Sequence, residues 1–178
     1  DSFTNNRGGM GAPDLFTLHF ALKTLQPKVV VESGVWNGLS TKLIRNTLPE
    51  ATIICLDPRD IPPNGFREYN INTIYYTGQN FQDFSQLDLS MYNPAEIFCF
   101  FDCHQNAPMR LFQTMEKKIK HVFFNDNYPK NCGSHYTIQH LKSNDTRFSI
   151  STEMKGALEN SIKNYHIFPN VFPGSIQT

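Results

Sequence analysis

Carboxylate and amide side chains follow two apolar runs in the second half of the chain. Asp102 comes after residues 96–101, and Asp126 and Asn127 come after residues 121–124. Two carboxylates and a neutral oxygen, with waters completing an octahedron, suit Mg²⁺, or Mn²⁺ as a substitute. Sulfur and imidazole ligands are scarce at these points, which argues against a closed structural zinc site. We therefore predict a divalent-cation site at Asp102, Asp126 and Asn127; the alternative is that these residues only cap turns.

An imidazole close to this predicted site has the chemistry of a general base. His104 lies two residues after Asp102. The unperturbed pKa of a histidine, about 6.5, allows it to take a proton near neutral pH. We predict that His104 is the catalytic base, working beside Asp102, with His135 in reserve. The alternative for His104 is a structural role in a loop.

A glycine turn precedes these clusters in the chain. Residues 29–31 are three valines, which suit a strand buried on both faces, and Gly34 and Gly38 bracket the turn that follows. Because glycine has no Cβ, such a turn allows backbone N–H groups and the start of a helix to approach a ligand. With Glu32 at the end of the strand, the turn indicates a site for a nucleoside-like ligand.

Polar side chains also follow the next two predicted strands. Asp57 closes the run 51–56, where nucleoside-binding α/β folds place a carboxylate on the ribose hydroxyls; the alternative is a turn cap. Gln79 and Asn80 follow the third strand, and their amides could hydrogen-bond a purine edge, although amides are also common in turns for local reasons. These residues would extend the nucleoside site along one edge of a sheet.

The elements that must position these residues follow from hydrophobic periodicity and from the glycines and prolines between them. A strand–helix–strand unit of this size normally pairs its strands in parallel. We predict a single α/β domain over residues 1–178, a Rossmann-like, doubly wound, mostly parallel sheet with helices on both faces. A flexible arm is expected over 1–12, with Arg7 as a possible anion contact. Helices are expected at 13–27, 39–48, 107–118, 134–142 and 153–163, and strands at 29–32, 51–56, 72–77, 96–101, 121–124, 146–152 and 164–168.

The composition of the chain limits the classes of partner that it is expected to bind. Hydrophobic content of 39% and charge of 18% suit a globular protein, and a net charge of zero favours neither nucleic acid nor an anionic membrane. No apolar run approaches the roughly 18 residues of a spanning helix. The four cysteines form no CxxC pair, which favours reduced thiols and a cytoplasmic location. The chain begins without a Met or a signal-peptide pattern, so we expect a domain of a longer protein. At 178 residues the domain has little room for a large lid, so the expected alternatives are an open site or one that a partner subunit of a homo-oligomer completes.

Three of these stretches together carry a family resemblance. The spacing Glu32-x-Gly34-xxx-Gly38-x-Ser40 resembles the first motif of class I S-adenosylmethionine-dependent methyltransferases, as in the metal-dependent catechol O-methyltransferases. The stretches 100–105 and 123–129 are more similar to the sugar and macrolide-glycoside O-methyltransferases and their relatives labelled cephalosporin hydroxylase-like. The resemblance covers roughly residues 5–130, with a weaker similarity near the C-terminus.

The resemblance implies roles for residues of this chain. Asp102, Asp126 and Asn127 match the metal ligands of the metal-dependent enzymes. Gln105 stands where the catechol enzymes carry a lysine base, and Asn125 stands where the sugar enzymes often carry an acid. The residues that would hold the cofactor S-adenosylmethionine are Glu32, Gly34, Val35, Trp36, Gly38, Ser40, Thr41, Asp57, Gln79, Asn80 and Asp102.

The function that the resemblance implies is metal-assisted methylation of a hydroxyl on a sugar or glycan, with Mg²⁺ or Mn²⁺ as the ion. A catechol or polyketide hydroxyl is the runner-up acceptor. An NAD-dependent oxidoreductase would want GxGxxG, whereas Gly34 and Gly38 are separated by three residues. A non-catalytic module that only binds the cofactor is the third possibility. Trp36, Tyr128 and their aromatic neighbours could stack on a sugar face.

Overall fold

The computed structural model describes residues 8–168. Its strands are β1 (Val29–Ser33), β2 (Thr52–Asp57), β3 (Thr73–Thr77), β4 (Ile97–Phe101) and β5 (His121–Phe124). Its helices are α1 (Ala12–Leu25), α2 (Leu39–Thr47), α3 (Ala107–Glu116), α4 (Ile138–Ser143) and α5 (Thr152–Ser161). Short 3₁₀ turns lie between β3 and β4 at Gly78–Asn80, Phe84–Gln86 and Pro94–Glu96.

The five strands form one sheet in the order β3-β2-β1-β4-β5, and every neighbouring pair is parallel. The chain therefore starts in the middle of the sheet, winds outward to β3, and crosses back to build β4 and β5 on the other side. This order is that of a doubly wound sheet, with a switch point between β1 and β4. The predicted α/β, Rossmann-like fold is confirmed, and the sheet is parallel throughout the described residues.

Alternate residues of each strand face opposite layers of the molecule. On one face, α1 and α2 pack their buried leucines and isoleucine on the sheet. On the other face, the cover comes from the 3₁₀ turn at Phe84, from Leu87 and Leu89 after it, and from Ile119, which follows α3. All four cysteines are free, and two of them are buried as small apolar residues in β2 and β4. No helix in the described range 8–168 is long and apolar enough to cross a membrane.

The N-terminal segment packs more tightly than the predicted arm. Residues 1–7, with Arg7, lie outside the described residues. Met10, however, is buried in the core beside α1 and the glycine turn, and α1 begins at Ala12. The prediction of a flexible arm is therefore wrong from Met10 onward, because that side chain is part of the apolar cluster. The helix ends at Leu25, where Gln26 adopts a left-handed conformation.

Two predicted strands near the C-terminus are wrong. The segment 146–151 is irregular, because Phe148 stacks on the ring of Tyr136 with 5.0 Å between centroids, and α5 begins directly afterwards. Residues 164–168 are also irregular. The apolar residues of these two segments predicted strands there. In the structure, Phe148 and Ile150 are half-buried against the cluster of Tyr136, Leu141 and Leu158, and Ile167 and Phe168 are exposed, so neither segment joins the sheet.

A matched pair of leucines on α1 tests how much the packing of α1 on the sheet contributes to the free energy of unfolding. Leu22 is fully buried, whereas Leu25 is 40% exposed. Leu22→Ala is expected to lower the free energy of unfolding by about 2–5 kcal/mol through lost burial and a residual cavity. Leu25→Ala is expected to change it by less than about 0.5 kcal/mol. Urea denaturation of both variants measures the difference, and equal losses would contradict the assigned packing of α1.

Candidate functional site

The parallel sheet brings the carboxyl ends of all five strands to one edge, where open α/β sheets bind ligands. Because β1 and β4 are neighbours, the turn after β1 lies against the segment after β4. Gly34, at φ 100°, faces the backbone of Asp102 so closely that a Cβ on residue 34 would overlap the Asp102 carbonyl. The chain itself therefore requires a glycine at this position, and the contact places the glycine turn beside the first predicted metal ligand.

The second glycine of the turn is also required by the chain. Gly38, at φ 80°, faces the carbonyl oxygen of Phe66, which a Cβ would overlap. The backbone N–H of Phe66 donates to the carbonyl of Asn37 at 2.7 Å, so the loop after β2 closes over the turn. The space that the missing Cβ atoms leave is filled by backbone in this structure, not left open for a ligand as the sequence pattern indicated.

Three of the predicted cofactor-binding residues bind one another. Glu32 is fully buried, and its carboxyl group accepts hydrogen bonds from the hydroxyls of Ser40 and Thr41, the latter at 2.6 Å. Cys55 Sγ donates to the same carboxyl at 3.6 Å. Burial raises the pKa of Glu32 to about 7, although the hydrogen bonds from the two hydroxyls oppose that rise. The three residues tie the first turn of α2 to the end of β1 and thereby position the turn between them.

Asp57 holds the glycine turn from the other side. Its buried carboxylate accepts from the amides of Val35 and Trp36 through Oδ2, at 3.0 and 3.1 Å. Oδ1 accepts from the amide of Arg59 at 2.9 Å, and the Arg59 guanidinium lies 4.5 Å from the ring of Trp36. These bonds match the alternative interpretation of Asp57 as a cap, and its contact with a ribose stays a prediction. A ligand that uses the turn amides would compete with this carboxylate.

Two cavities flank this part of the sheet edge. The one at the turn measures about 10 Å³, and the other, at the end of β3, is an open groove of about 500 Å³. Gln79 and Asn80, predicted to border a purine, are exposed and line that groove. The small cavity is lined by Gly9, Met10, Val35, Trp36, Asn37, Leu39, Ser40 and Asp102. The groove is completed by Tyr75, Tyr76, Phe81 and Gln82.

The tips of β4 and β5 form a cluster of possible metal ligands. Asp102, His104 and Asp126 each offer a donor atom, and these atoms all lie within 4.8 Å of one another. His104 Nε2 lies 3.3 Å from Asp126 Oδ2, and the side-chain Nδ2 of Asn125 donates to Asp102 Oδ1 at 3.0 Å. Two carboxylates and an imidazole at this spacing can bind one divalent cation. The structure thus brings together Asp102 and Asp126, as the sequence predicted, with His104 as the third member.

Two carboxyl groups near the β4 and β5 tips have raised pKa values. Burial raises the pKa of Asp102 to about 6, the charge of Asp126 adds to the rise, and the hydrogen bond from Asn125 opposes it. Asp14, in the first turn of α1, is a third carboxyl group close enough to interact with Asp126. Burial is the main cause of its raised pKa, and the charge of Asp126 raises the pKa further. Sequence reasoning missed Asp14, because only the packing of α1 beside the β4 and β5 tips brings it near.

Asn127 has its polar atoms engaged elsewhere. Its side-chain Nδ2 donates to the Tyr165 hydroxyl at 2.8 Å, and its Oδ1 accepts from the backbone N–H of Gln139 at 3.1 Å. The side chain of Gln139 in turn donates to the Asn127 carbonyl. Asn127 therefore anchors the start of α4 and the segment at Tyr165 in this structure. Its role as a metal ligand stays a prediction, and it would require these bonds to be exchanged.

A second imidazole lies beside the cluster. The rings of His104 and His135 meet edge-to-face with 5.5 Å between centroids, and the ring of Tyr128 meets that of His135 edge-to-face at the same distance. His135 Nδ1 is buried and has no hydrogen-bond partner among the described residues. Burial and the proximity of His104 lower the pKa of His135, so its ring stays neutral more readily.

Comparisons with protein-family models and with curated proteins were negative. No known family model matches the chain, and a search of curated proteins finds no significant match. The function of the chain is therefore inferred from the chemistry and geometry of the sheet edge.

The buried carboxyl of Glu32 predicts a pH dependence of stability. Because its pKa is raised from 4.5 to about 7, the folded protein holds that proton more tightly than the unfolded chain does. The resulting stabilisation is complete below about pH 4.5 and is lost as the pH rises through about 7. The free energy of unfolding of the wild type should therefore fall over this range relative to Glu32→Gln, which cannot ionise.

Urea denaturation at several pH values measures this difference. Glu50→Gln is the matched control, because Glu50 is exposed and the same substitution there removes a carboxylate from the surface. A wild type that keeps a constant stability difference from Glu32→Gln between about pH 4.5 and pH 7 would contradict the assignment.

Proposed function

We propose that this chain is an S-adenosylmethionine-dependent O-methyltransferase that methylates a hydroxyl group of a sugar or glycan with the assistance of a divalent cation. The observation that carries the proposal is the contact between the glycine turn and the cation cluster, in which Gly34 packs on the backbone of Asp102. A methyl donor at the turn and an acceptor hydroxyl on the cation would meet at this junction. The motif resemblance supports the same assignment.

The residues at the β4 and β5 tips fit a divalent cation. Asp102 and Asp126 would hold the ion, and a cation would offset the burial and, to a smaller extent, the charge of Asp126, which together raise the pKa of Asp102. Asn125, which donates to Asp102 Oδ1, would orient that carboxylate as an outer-shell partner. When bound, the ion supplies Lewis acidity, which makes a coordinated hydroxyl more acidic and fixes its direction.

The methyl donor would extend from the turn toward β3. The groove at Gln79 and Asn80 has room for a purine, and β3 lies two strands from β1, a separation of about 10 Å. At the turn, the donor would take space that Met10 now fills, since the cavity there measures about 10 Å³. The Val35 and Trp36 amides would become available on release from Asp57.

The chain's part in the reaction is to orient two reactants and accept a proton. In-line transfer forms the new O–CH₃ bond as the S–CH₃ bond breaks, and the sulfur keeps the electron pair of that bond. Alignment of two bound reactants is worth about 7–11 kcal/mol. The acceptor proton would pass to an imidazole at this edge, where His104 and His135 lie edge-to-face. Tyr128, packed on His135, supplies an aromatic face for a sugar ring.

Ligand-induced stabilisation tests the cofactor assignment. S-adenosylhomocysteine is expected to raise the melting temperature, because a ligand that binds only the native state adds about 2.7 kcal/mol at a hundred times its Kd. NAD⁺, which suits the rival oxidoreductase, is expected to leave it unchanged. Stabilisation by NAD⁺ and none by S-adenosylhomocysteine would overturn the proposal. Binding of the latter without methylation of any hydroxylated acceptor would favour the non-catalytic module.

Two carboxamide variants test the cation in the reaction. Asp102→Asn and Asp126→Asn are expected to lower transfer of a labelled methyl group by at least about a hundredfold, since a bound ion contributes several kcal/mol to catalysis. The assay uses labelled S-adenosylmethionine with a set of deoxyhexosides and catechols, with and without added Mg²⁺ or Mn²⁺. Asp88→Asn, at an exposed aspartate, is the control. Undiminished transfer in both site variants would exclude the role of the metal.

A further inference from the structure

We propose that His104 is itself a ligand of the cation, and that the site therefore binds Mn²⁺ in preference to Mg²⁺. This inference deepens the proposed function and rests on its cation site. It replaces the sequence-based role of His104 as the base with a role in coordination. It also narrows the expected ion from Mg²⁺ or Mn²⁺ to Mn²⁺.

The geometry places the His104 nitrogen among the donor atoms. Its Nε2 lies 3.3 Å from Asp126 Oδ2, and all three donor atoms of the cluster lie within 4.8 Å of one another. Ligands bound to one ion at about 2.0–2.2 Å are separated by at most about twice that distance. A small movement of the side chains would therefore bring Asp102, His104 and Asp126 onto a common ion. The His104 side chain is 58% exposed, so an ion and its waters can reach it.

His104 and Asp126 share an uncommon backbone conformation. His104 has φ 51° and Asp126 has φ 50°, and both are left-handed conformations that residues other than glycine adopt infrequently. Just before them, the backbone N–H of Asp102 donates to the Ser33 carbonyl at 2.8 Å, and that of Asn125 donates to the Phe101 carbonyl at 2.9 Å, so both strand ends are anchored to their neighbours. Strained positions at two neighbouring strand ends are typical of sites that present side chains to a ligand.

The neutral oxygen expected from the sequence is engaged elsewhere. The Oδ1 of Asn127 accepts from the backbone of Gln139, and its Nδ2 donates to Tyr165. The nitrogen of His104 takes the third place in the donor set. Imidazole suits first-row transition ions, whereas Mg²⁺ takes oxygen ligands and keeps several waters. A donor set of two carboxylates and one imidazole therefore favours Mn²⁺ over Mg²⁺.

This assignment has a consequence for the acceptor proton. An imidazole nitrogen that binds a metal cannot take a proton at the same time. His135, whose buried Nδ1 has no partner among the described residues, is then the imidazole beside the cluster that the ion does not engage. His104 would then hold the ion, and His135 would take the role of base that the sequence gave to His104 with His135 in reserve.

Metal binding is measured directly on the intact chain, without turnover. The electron paramagnetic resonance signal of free aqueous Mn²⁺ gives the Kd of Mn²⁺, and displacement by Mg²⁺ gives the Kd of Mg²⁺. The wild type is expected to bind Mn²⁺ at least about tenfold more tightly than Mg²⁺. His104→Asn, which suits the left-handed backbone, is expected to weaken Mn²⁺ binding by about tenfold or more and Mg²⁺ binding much less.

Two further variants and a spectroscopic signature assign the ligand. Electron spin-echo modulation of bound Mn²⁺ is expected to show a directly coordinated imidazole nitrogen in the wild type. The signal should disappear in His104→Asn and remain in Gln105→Ala, the exposed neighbour, and in His135→Phe. Loss of the signal in His135→Phe but not in His104→Asn would overturn the assignment.

The remaining outcomes separate this inference from the proposed function. Equal affinity for both ions, unchanged in His104→Asn, would overturn the inference and leave the cation part of the proposed function standing. A wild type that binds neither ion would overturn both, whereas stabilisation by S-adenosylhomocysteine would still support a methyl-donor site.

Discussion

The contact between Gly34 and the backbone of Asp102 is the constraint on which the sheet edge depends. It exists because β1 and β4 are parallel neighbours at the switch point of the sheet, so the turn after one strand meets the segment after the other. Any side chain at residue 34 would push the two apart. The same contact sets the distance between the glycine turn and the cluster of Asp102, His104 and Asp126.

The turn is held by two buried carboxyl groups with different tasks. Glu32 binds the hydroxyls of α2 from beneath, and Asp57 binds the Val35 and Trp36 amides from the side. Both carboxyl groups are satisfied within the chain, and Met10 fills the remaining space. The structure is therefore that of a closed turn, in which ligand binding at the amides exchanges one set of hydrogen bonds for another and need not leave buried polar groups unpaired.

The tips of β4 and β5 differ from the turn. Burial, with the charge of Asp126 added, raises the pKa of Asp102, and the neighbouring His135 has a buried nitrogen with no partner among the described residues. The carboxyl groups of the glycine turn are paired within the chain, whereas this imidazole nitrogen is not. This difference is why the functional proposal and the further inference both rest on the tips of β4 and β5.

Much of this architecture was readable from the sequence, because the positions of the five strands follow from local hydrophobic patterns. Three consecutive valines predict a strand buried on both faces, and Asp57, Asp102 and Asp126 follow strands whose ends a parallel sheet must bring to one edge. Only the tertiary structure decided which of their neighbours join the cluster. Asn127 is drawn to α4 by Gln139, His104 is turned toward Asp126 by its left-handed backbone, and Asp14 arrives from α1. Side-chain direction depends on contacts between segments distant in sequence, which no local pattern encodes.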